Sequence, residues 1–343
     1  MSHHPISLVG PTLYLKLYSG LANDTDITNR CNEIYHTSGL SVTANTILAS
    51  CNCEGLIPTL PLSKSLQLCK SAPNDSIFHS YIVNNLNTLK NVYNHLLNLD
   101  PSLKQITCPT MNKDIITKTY NECRKTVSNF FTLSQPSSII YDPSQTVGPH
   151  FDTVQFKIGN KPCTLLHPTL LPIILNHECD PGHHWMFHQL SAFPQLDGND
   201  NMACIEGWGM YCERFYEPTL PHHFGFVCSM ILHFLRALCD FNLQNGIWNT
   251  KTVGNVISDN MPFNLDIPQE VGHISKFPNL QCCYILGYNV FDSCCKKFRN
   301  QYPDWKVYHN QIIRAIKSMK DNVDLSHLER LMDRNNVYGK GEK

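Results

Sequence analysis

The 343-residue sequence predicts a mainly α-helical protein with a short β element close to the helix that carries its most distinctive motif. Three observations predict this. Apolar residues recur at helical spacing over most of the chain beyond residue 77, β-branched or alternating runs before the motif are short and confined to 138–142 and 151–158, and a 42% apolar composition suffices for a substantial core. The expected organisation is an amino-terminal region over 1–76, which could be an incomplete part of the same domain, and a helical unit over 77–343.

Residues 1–76 are rich in Ser, Thr, Asn, Leu and Cys, with prolines at 58, 61 and 73, and their weak periodicity supports only short helices. From Tyr81, the residues Ile82, Leu86, Leu89, Val92, Tyr93, Leu96 and Leu97 mark an amphipathic helix that stops at Asp100-Pro101. A second helix is expected from about Asp114 to Leu133, with Ile115, Ile116, Tyr120, Cys123, Val127, Phe130 and Phe131 on its apolar face. Ser138–Asp142 and Phe151–Ile158, separated by Pro143 and Gly148, read as one or two strands. Helical patterns follow over Ile205–Tyr216, His222–Leu243, Asn249–Asn260, Asn279–Arg299, Trp305–Met319 and Leu325–Met332. The longest apolar stretch, Phe224–Leu238, is interrupted by Ser229, His233 and Arg236 and falls short of the roughly 20 residues that span a bilayer, so it reads as a buried helix.

Charge excludes some function classes. Twenty-seven basic and 28 acidic residues nearly cancel and form no long run of one sign, which argues against a nucleic-acid footprint or a polybasic membrane patch. Small or peptidic partners are expected. The start, Met1-Ser2-His3-His4-Pro5, lacks the basic segment and apolar block of a secretory leader. Sixteen cysteines without a C-x-x-C pair argue against a zinc ribbon or a thioredoxin-type centre. Their even number and the sequons Asn23-Asp24-Thr25 and Asn74-Asp75-Ser76 suit an exported protein whose leader is missing from this chain; ordinary buried thiols and unused sequons suit a cytoplasmic one. Localisation stays open.

The chemistry concentrates in His177-Glu178-Cys179-Asp180-Pro181-Gly182-His183-His184 and, 23 residues after His183, in Glu206-Gly207-Trp208. Two imidazoles, a carboxylate beside the first and a second carboxylate on the next helix are the parts of a hydrolytic zinc site. A catalytic zinc takes three protein ligands and a water whose pKa it lowers, and a neighbouring glutamate accepts that water's proton. The usual spacing puts the two histidines four apart on one helix face; here the gap is six, which on a regular helix rotates the side chain by about 240°. Pro181-Gly182 can break that regularity, and a two-residue bulge would return His183 to the face of His177. His184 and His188 are a rival pair at the i, i+4 spacing, without a following glutamate. Among 17 histidines chance clusters form easily, so capping or hydrogen bonding around a proline turn is the competing reading. A cysteine nucleophile at Cys179 is a weaker alternative, since adjacency to Glu178 does not depress a thiol pKa.

With Glu206-Gly-Trp-Gly-Met-Tyr-Cys-Glu213, this run resembles the H-E-x-x-P-G-H-H and E-G-W-x-x-Y-x-E signatures of the domain-of-unknown-function 885 family, which is similar to the gluzincin metallopeptidases. Arg236-Ala237-x-x-Asp240, Trp248, Glu270, Pro278, Gln281, Tyr284 and Gly287 follow in the order of that family's further elements, and Tyr141-Asp-Pro-Ser fits its approach to the site. The resemblance spans about Ile77 to Arg334. It implies that 77–343 is a large helical zinc-peptidase-like catalytic domain acting on short peptides, with Zn2+ held by His177, His183 and Glu206. Glu178 would activate the water and Tyr284 would donate to the oxyanion of the tetrahedral intermediate. Glu213, two turns beyond Glu206, would hold a ligand or a substrate amine; His184, Glu270 and His273 would contact substrate or support the ligands.

The chain departs from that pattern where His273 replaces the arginine of an E-x-x-R element and where Pro278-Asn279-Leu280-Gln281 replaces P-G-Q. Losing a guanidinium weakens any grip on a peptide carboxylate, and His273 could substitute only when protonated. An inactive homologue that keeps the metal site as a structural or binding element is therefore the alternative reading. The residues leave the substrate, amino- against carboxypeptidase action and oligomeric state undetermined.

Overall fold

The computed structural model describes residues 24–38, 76–105, 113–141, 150–152, 155–158, 165, 167–190, 199–298, 301–319, 325 and 328–332. In chain order the elements are α1 (Asp24–Ser38), α2 (Ser76–Leu99) with a single 3-10 turn after it (Pro101–Lys104), α3 (Lys113–Val127), β1 (Ser138–Tyr141), β2 (His150–Asp152), β3 (Gln155–Ile158), α4 (Leu171–Glu178), α5 (His183–Leu190), α6 (Asn199–Cys212), α7 (Leu220–Gln244), α8 (Thr250–Asn260), α9 (Ile267–Lys276), α10 (Leu280–Phe298), α11 (Trp305–Ser318) and α12 (Leu328–Met332). The protein is largely helical, with a short β element against the helical core, as the periodicities predict. Within 1–76, the 15-residue α1 is longer than the weak pattern suggests.

The β element is a three-stranded sheet in the order β1-β3-β2, with β1 parallel and β2 antiparallel to β3. The expected second run thus divides into two strands; Asp142 lies outside the described residues. Ile139 of β1 packs on a cluster formed by Ile116, Tyr120 and Cys123 of α3 with Leu171 and Leu175 of α4 and Cys179, which places the sheet against these two helices. Helix α3 ends six residues earlier than its pattern implies. Phe130 and Phe131 both donate their amides back to the Val127 carbonyl and turn inward, where Phe131 stacks on His309 at 3.8 Å and meets Trp185, Trp208 and Phe215 edge-on. Aromatic burial there outweighs continued helix. Ile115, expected on the buried face, is 51% exposed.

Helix α7 is the axis of the core, packing against α2, α10 and, toward its carboxyl end, α8 and α9. It is long and apolar enough to cross a membrane, yet 89% of its apolar window is buried inside the molecule. Thr219 caps its start by accepting the His222 amide. Near its other end Asp240 accepts the amides of Asn279 and Gln281, both at 3.0 Å, and so caps α10 in trans. Asn279 takes a left-handed φ of 66° at that corner.

The closest helix pair is α6 on α10, and two motif glycines make it possible. A Cβ on Gly207 would lie 2.3 Å from the Gly287 backbone, and one on Gly287 would lie 1.7 Å from the Ala203 carbonyl oxygen. Glycine at both positions lets the backbones touch, which sets Glu206 of α6 next to Tyr284 of α10. Gly287→Ala is expected to destabilise the protein by about 3 kcal/mol, at the upper end of overpacking costs; an unchanged urea midpoint would show that the helix pair has room that the backbone distances deny.

Candidate metal centre

The six-residue gap between His177 and His183 is accommodated by a break between two helices, in place of the expected bulge. α4 ends at Glu178, α5 begins at His183, and Cys179–Gly182 form a non-helical connector with a cis Asp180-Pro181 peptide. Pro181 has no amide to extend the ladder. Gly182 is required by space, since a Cβ there would sit 1.8 Å from the His177 carbonyl oxygen. The connector is held from three sides. Trp208 Nε1 donates to the Pro181 carbonyl at 2.9 Å and Cys212 Sγ to the same oxygen at 3.4 Å. Asp180, fully buried, accepts from Tyr120, Arg124 and His184 Nδ1, the last at 3.1 Å. Tyr120 also accepts the Ser137 amide, which ties the connector to the start of β1.

This connector brings the two imidazoles together, with ring centroids 4.7 Å apart and planes at 89°. Glu206 Oε2 lies 3.5 Å from His177 Nε2 and 3.3 Å from His183 Nε2. Ligand atoms of a four-coordinate zinc, with bonds of about 2.0–2.1 Å, sit about 3.3–3.4 Å apart, so the two measured edges fit one ion. The Glu206 oxygen that faces both imidazoles is buried without a hydrogen-bond partner, and two imidazoles with one carboxylate are a borderline donor set suited to zinc. His177, His183 and Glu206 therefore form a buried cluster able to hold a metal ion.

Behind His177 lies Glu213, which is completely buried. Its Oε1 is 2.7 Å from His177 Nδ1 and 2.7 Å from His233 Nε2, and its Oε2 accepts from Ser229 Oγ at 2.7 Å. His177, Glu213 and His233 also converge closely enough to be considered as ion ligands, but spacings of 2.7 Å are those of charge-assisted hydrogen bonds and are too short for neighbouring ligands of a tetrahedral ion. Burial alone would raise the Glu213 pKa, and the His233 and His177 imidazoles more than reverse this, to about 2. Burial likewise disfavours the His177 cation, but Glu206 and Glu213 outweigh it and lift the imidazole to about 10. Glu213 is therefore no solvated helix carboxylate: it is a buried acceptor facing an imidazole of the candidate cluster. A Cβ on Gly209 would lie 2.6 Å from His177 Nε2, so the helix that carries Glu206 and leads into Glu213 has a glycine where the ring must pass.

The other expected residues separate into two groups. Tyr284 lines the cluster, its ring stacked at 6.0 Å on His177 and 5.1 Å on His233; burial first, then the Glu206 and Glu178 charges, hold its phenol protonated. Glu178 is close enough for its charge to act on both His177 and Tyr284. His184 points back to Asp180, so it serves the connector, and the rival pair with His188 has rings 6.3 Å apart and belongs to no ligand cluster among the described residues. Cys179 is fully buried, and burial followed by the Asp180 charge drives its thiol well above the ordinary value, which removes it as a nucleophile. Glu270 belongs to no ligand cluster among the described residues and is held bidentately by Arg236 Nε and Nη2, both at 2.7 Å. A guanidinium is thus present after all, supplied by α7. His273, one turn beyond Glu270, has its pKa lowered by burial and then by Arg236, so it does not replace the missing cation.

Ser229 and His233 were not foreseen as site residues, although a signal for them was present. They and Arg236 are the three polar interruptions of the apolar α7 run, and steps of four and seven residues keep them within about 60° on one helix face. That face meets Glu213 and Glu270.

No model of a protein family and no curated protein matches the sequence. Among solved structures, the chain is similar to a "putative lipoprotein" from Colwellia psychrerythraea, with a TM-score of 0.64 and 14% identity over 96% of this chain and 67% of that one. It is also similar to a "putative lipoprotein of unknown function" from Shewanella oneidensis, with a TM-score of 0.53 and 13% identity over 95% of this chain and 73% of that one. At these identities the likeness is one of fold.

Gly209→Ala is expected to displace the His177 ring and lower zinc affinity by about tenfold or more, the usual scale for disturbing the support of a ligand. Competition against a chromophoric chelator measures it, and wild-type affinity in this variant would mean that the ring is not held where α6 touches it.

Proposed function

We propose that the chain is a zinc-dependent peptidase that hydrolyses short peptides. The observation that carries this reading is the convergence of His177, His183 and Glu206, with Glu206 Oε2 at tetrahedral edge lengths from both imidazole Nε2 atoms and Glu178 adjoining His177 in sequence. The motif resemblance to the domain-of-unknown-function 885 family supports it, because His177, His183, Glu206 and Glu213, from its two most specific elements, converge at this centre. When bound, zinc would acidify a water and polarise a carbonyl.

The chain's own groups supply the rest. Glu178 accepts the proton of the attacking water and passes it to the leaving amine. Tyr284, kept protonated by its buried setting, donates to the carbonyl oxygen as negative charge develops there. Glu213 accepts from His177 Nδ1, so Nε2, on giving up its proton, is the nitrogen that would hold the ion. The α6 and α10 glycines keep Glu206 and Tyr284 at one wall, so one packing contact positions both a ligand and a donor.

A second reading, an inactive homologue with a structural or binding metal centre, is favoured by one observation. Arg236 engages Glu270 through two nitrogens, and His273 is biased toward its neutral form, which leaves neither dedicated to a peptide carboxylate.

Glu178→Gln is expected to leave about one zinc per chain and to reduce cleavage at least about a hundredfold, the low end of general-base contributions. Mass-spectrometric digestion of a peptide library together with metal analysis decides between the readings: one bound zinc without cleavage by the wild-type chain would favour the inactive homologue.

A further inference from the structure

Resting on the metal assignment above, we propose that His233 and Ser229, on a helix that provides no ligand, set the affinity of the centre by holding Glu213. The geometry is specific. An ionised carboxylate can only accept hydrogen bonds. Glu213 must therefore receive N–H bonds from both His177 Nδ1 and His233 Nε2 on Oε1 and the Ser229 hydroxyl on Oε2. With both oxygens tied to α7, the carboxylate cannot rotate away from His177.

Two further observations give His233 this role and not that of a ligand. Its Nδ1 is buried and makes no hydrogen bond, so its polar contact is the one to Glu213. Its ring lies nearly parallel to that of His177, at 5.9 Å and 15°, as expected for two donors that converge on one oxygen from adjacent helices. Among the described residues His183 has no equivalent hydrogen bond, for its Nδ1 is buried without a partner there. The orientation of the ligand set is thus concentrated in His177 and passes through Glu213 to α7. Removing the His233 donor leaves a buried carboxylate with one fewer partner and an imidazole ligand less firmly aimed.

His233→Phe keeps a ring against Tyr284 and His177 but deletes the donor, whereas His233→Gln restores an N–H near the position of Nε2. Zinc affinity of the full chain, the visible spectrum of its cobalt form and unfolding of the metal-free protein are the readouts. His233→Phe is expected to weaken zinc about tenfold and alter the cobalt spectrum, as outer partners of metal ligands do, and His233→Gln to recover most of both. Ser229→Ala, a milder change, is expected to shift affinity in the same direction by less, and supplies the test should His233→Phe fail to fold. Wild-type zinc affinity and cobalt spectrum in folded His233→Phe, or in Ser229→Ala if that variant must stand in, would overturn the proposal while leaving the centre intact. Two zinc ions in the wild type and one in His233→Phe would overturn it by making His233 a ligand. A wild-type chain that binds no zinc would instead remove the metal assignment, and this inference with it.

Discussion

The buried Glu213 carboxylate is the constraint on which the centre depends. It joins α4 through His177, the end of α6 through its own amide, which donates to the Gly209 carbonyl, and α7 through Ser229 and His233. A charge taken wholly out of water is costly unless it is paired and both carboxylate oxygens are hydrogen-bonded. Three donors at 2.7 Å meet that demand, and they fix three helices relative to one another in doing so. The aim of the His177 ring follows from this, and the location of His183 and Glu206 beside it follows from what packs around it.

What packs around it is governed by close backbone approach. Gly209 lets the His177 ring lie against α6, Gly207 and Gly287 let α6 and α10 touch, and Gly182 lets the connector fold over the His177 carbonyl. Each is a position where a side chain would occupy space already filled. The Asp180 hub has the complementary effect. By accepting from Tyr120, Arg124 and His184 it fastens the connector to α3 and α5, so that the helix break is a defined corner.

The helical character, the β element beside α4 and most helices were legible because hydrophobic periodicity is a local property. Boundaries were less so: α3 stops at Val127 because Phe130 and Phe131 gain more from the aromatic cluster under α11 than from another helical turn. The convergence of His177, His183 and Glu206 was anticipated from the motif residues and the family they resemble, but the means of closing the six-residue gap was not legible, since a bulge and a break leave the same residues in the same order. Arg236 shows the same limit from another side. Its pairing with Glu270 joins residues 34 apart on two helices, and no spacing rule connects them.

By itself the sequence determined which residues have metal-binding chemistry and that helices would carry them, because donor type and apolar period are written residue by residue. Only the tertiary structure decided that His177 shares its two nitrogens between Glu206 and Glu213, that His184 belongs to the connector, and that the polar interruptions of α7 face the centre. These depend on how helices distant in sequence cross. The crossings are set by burial and by the space that a few glycines leave open, and both exist only once the chain is packed.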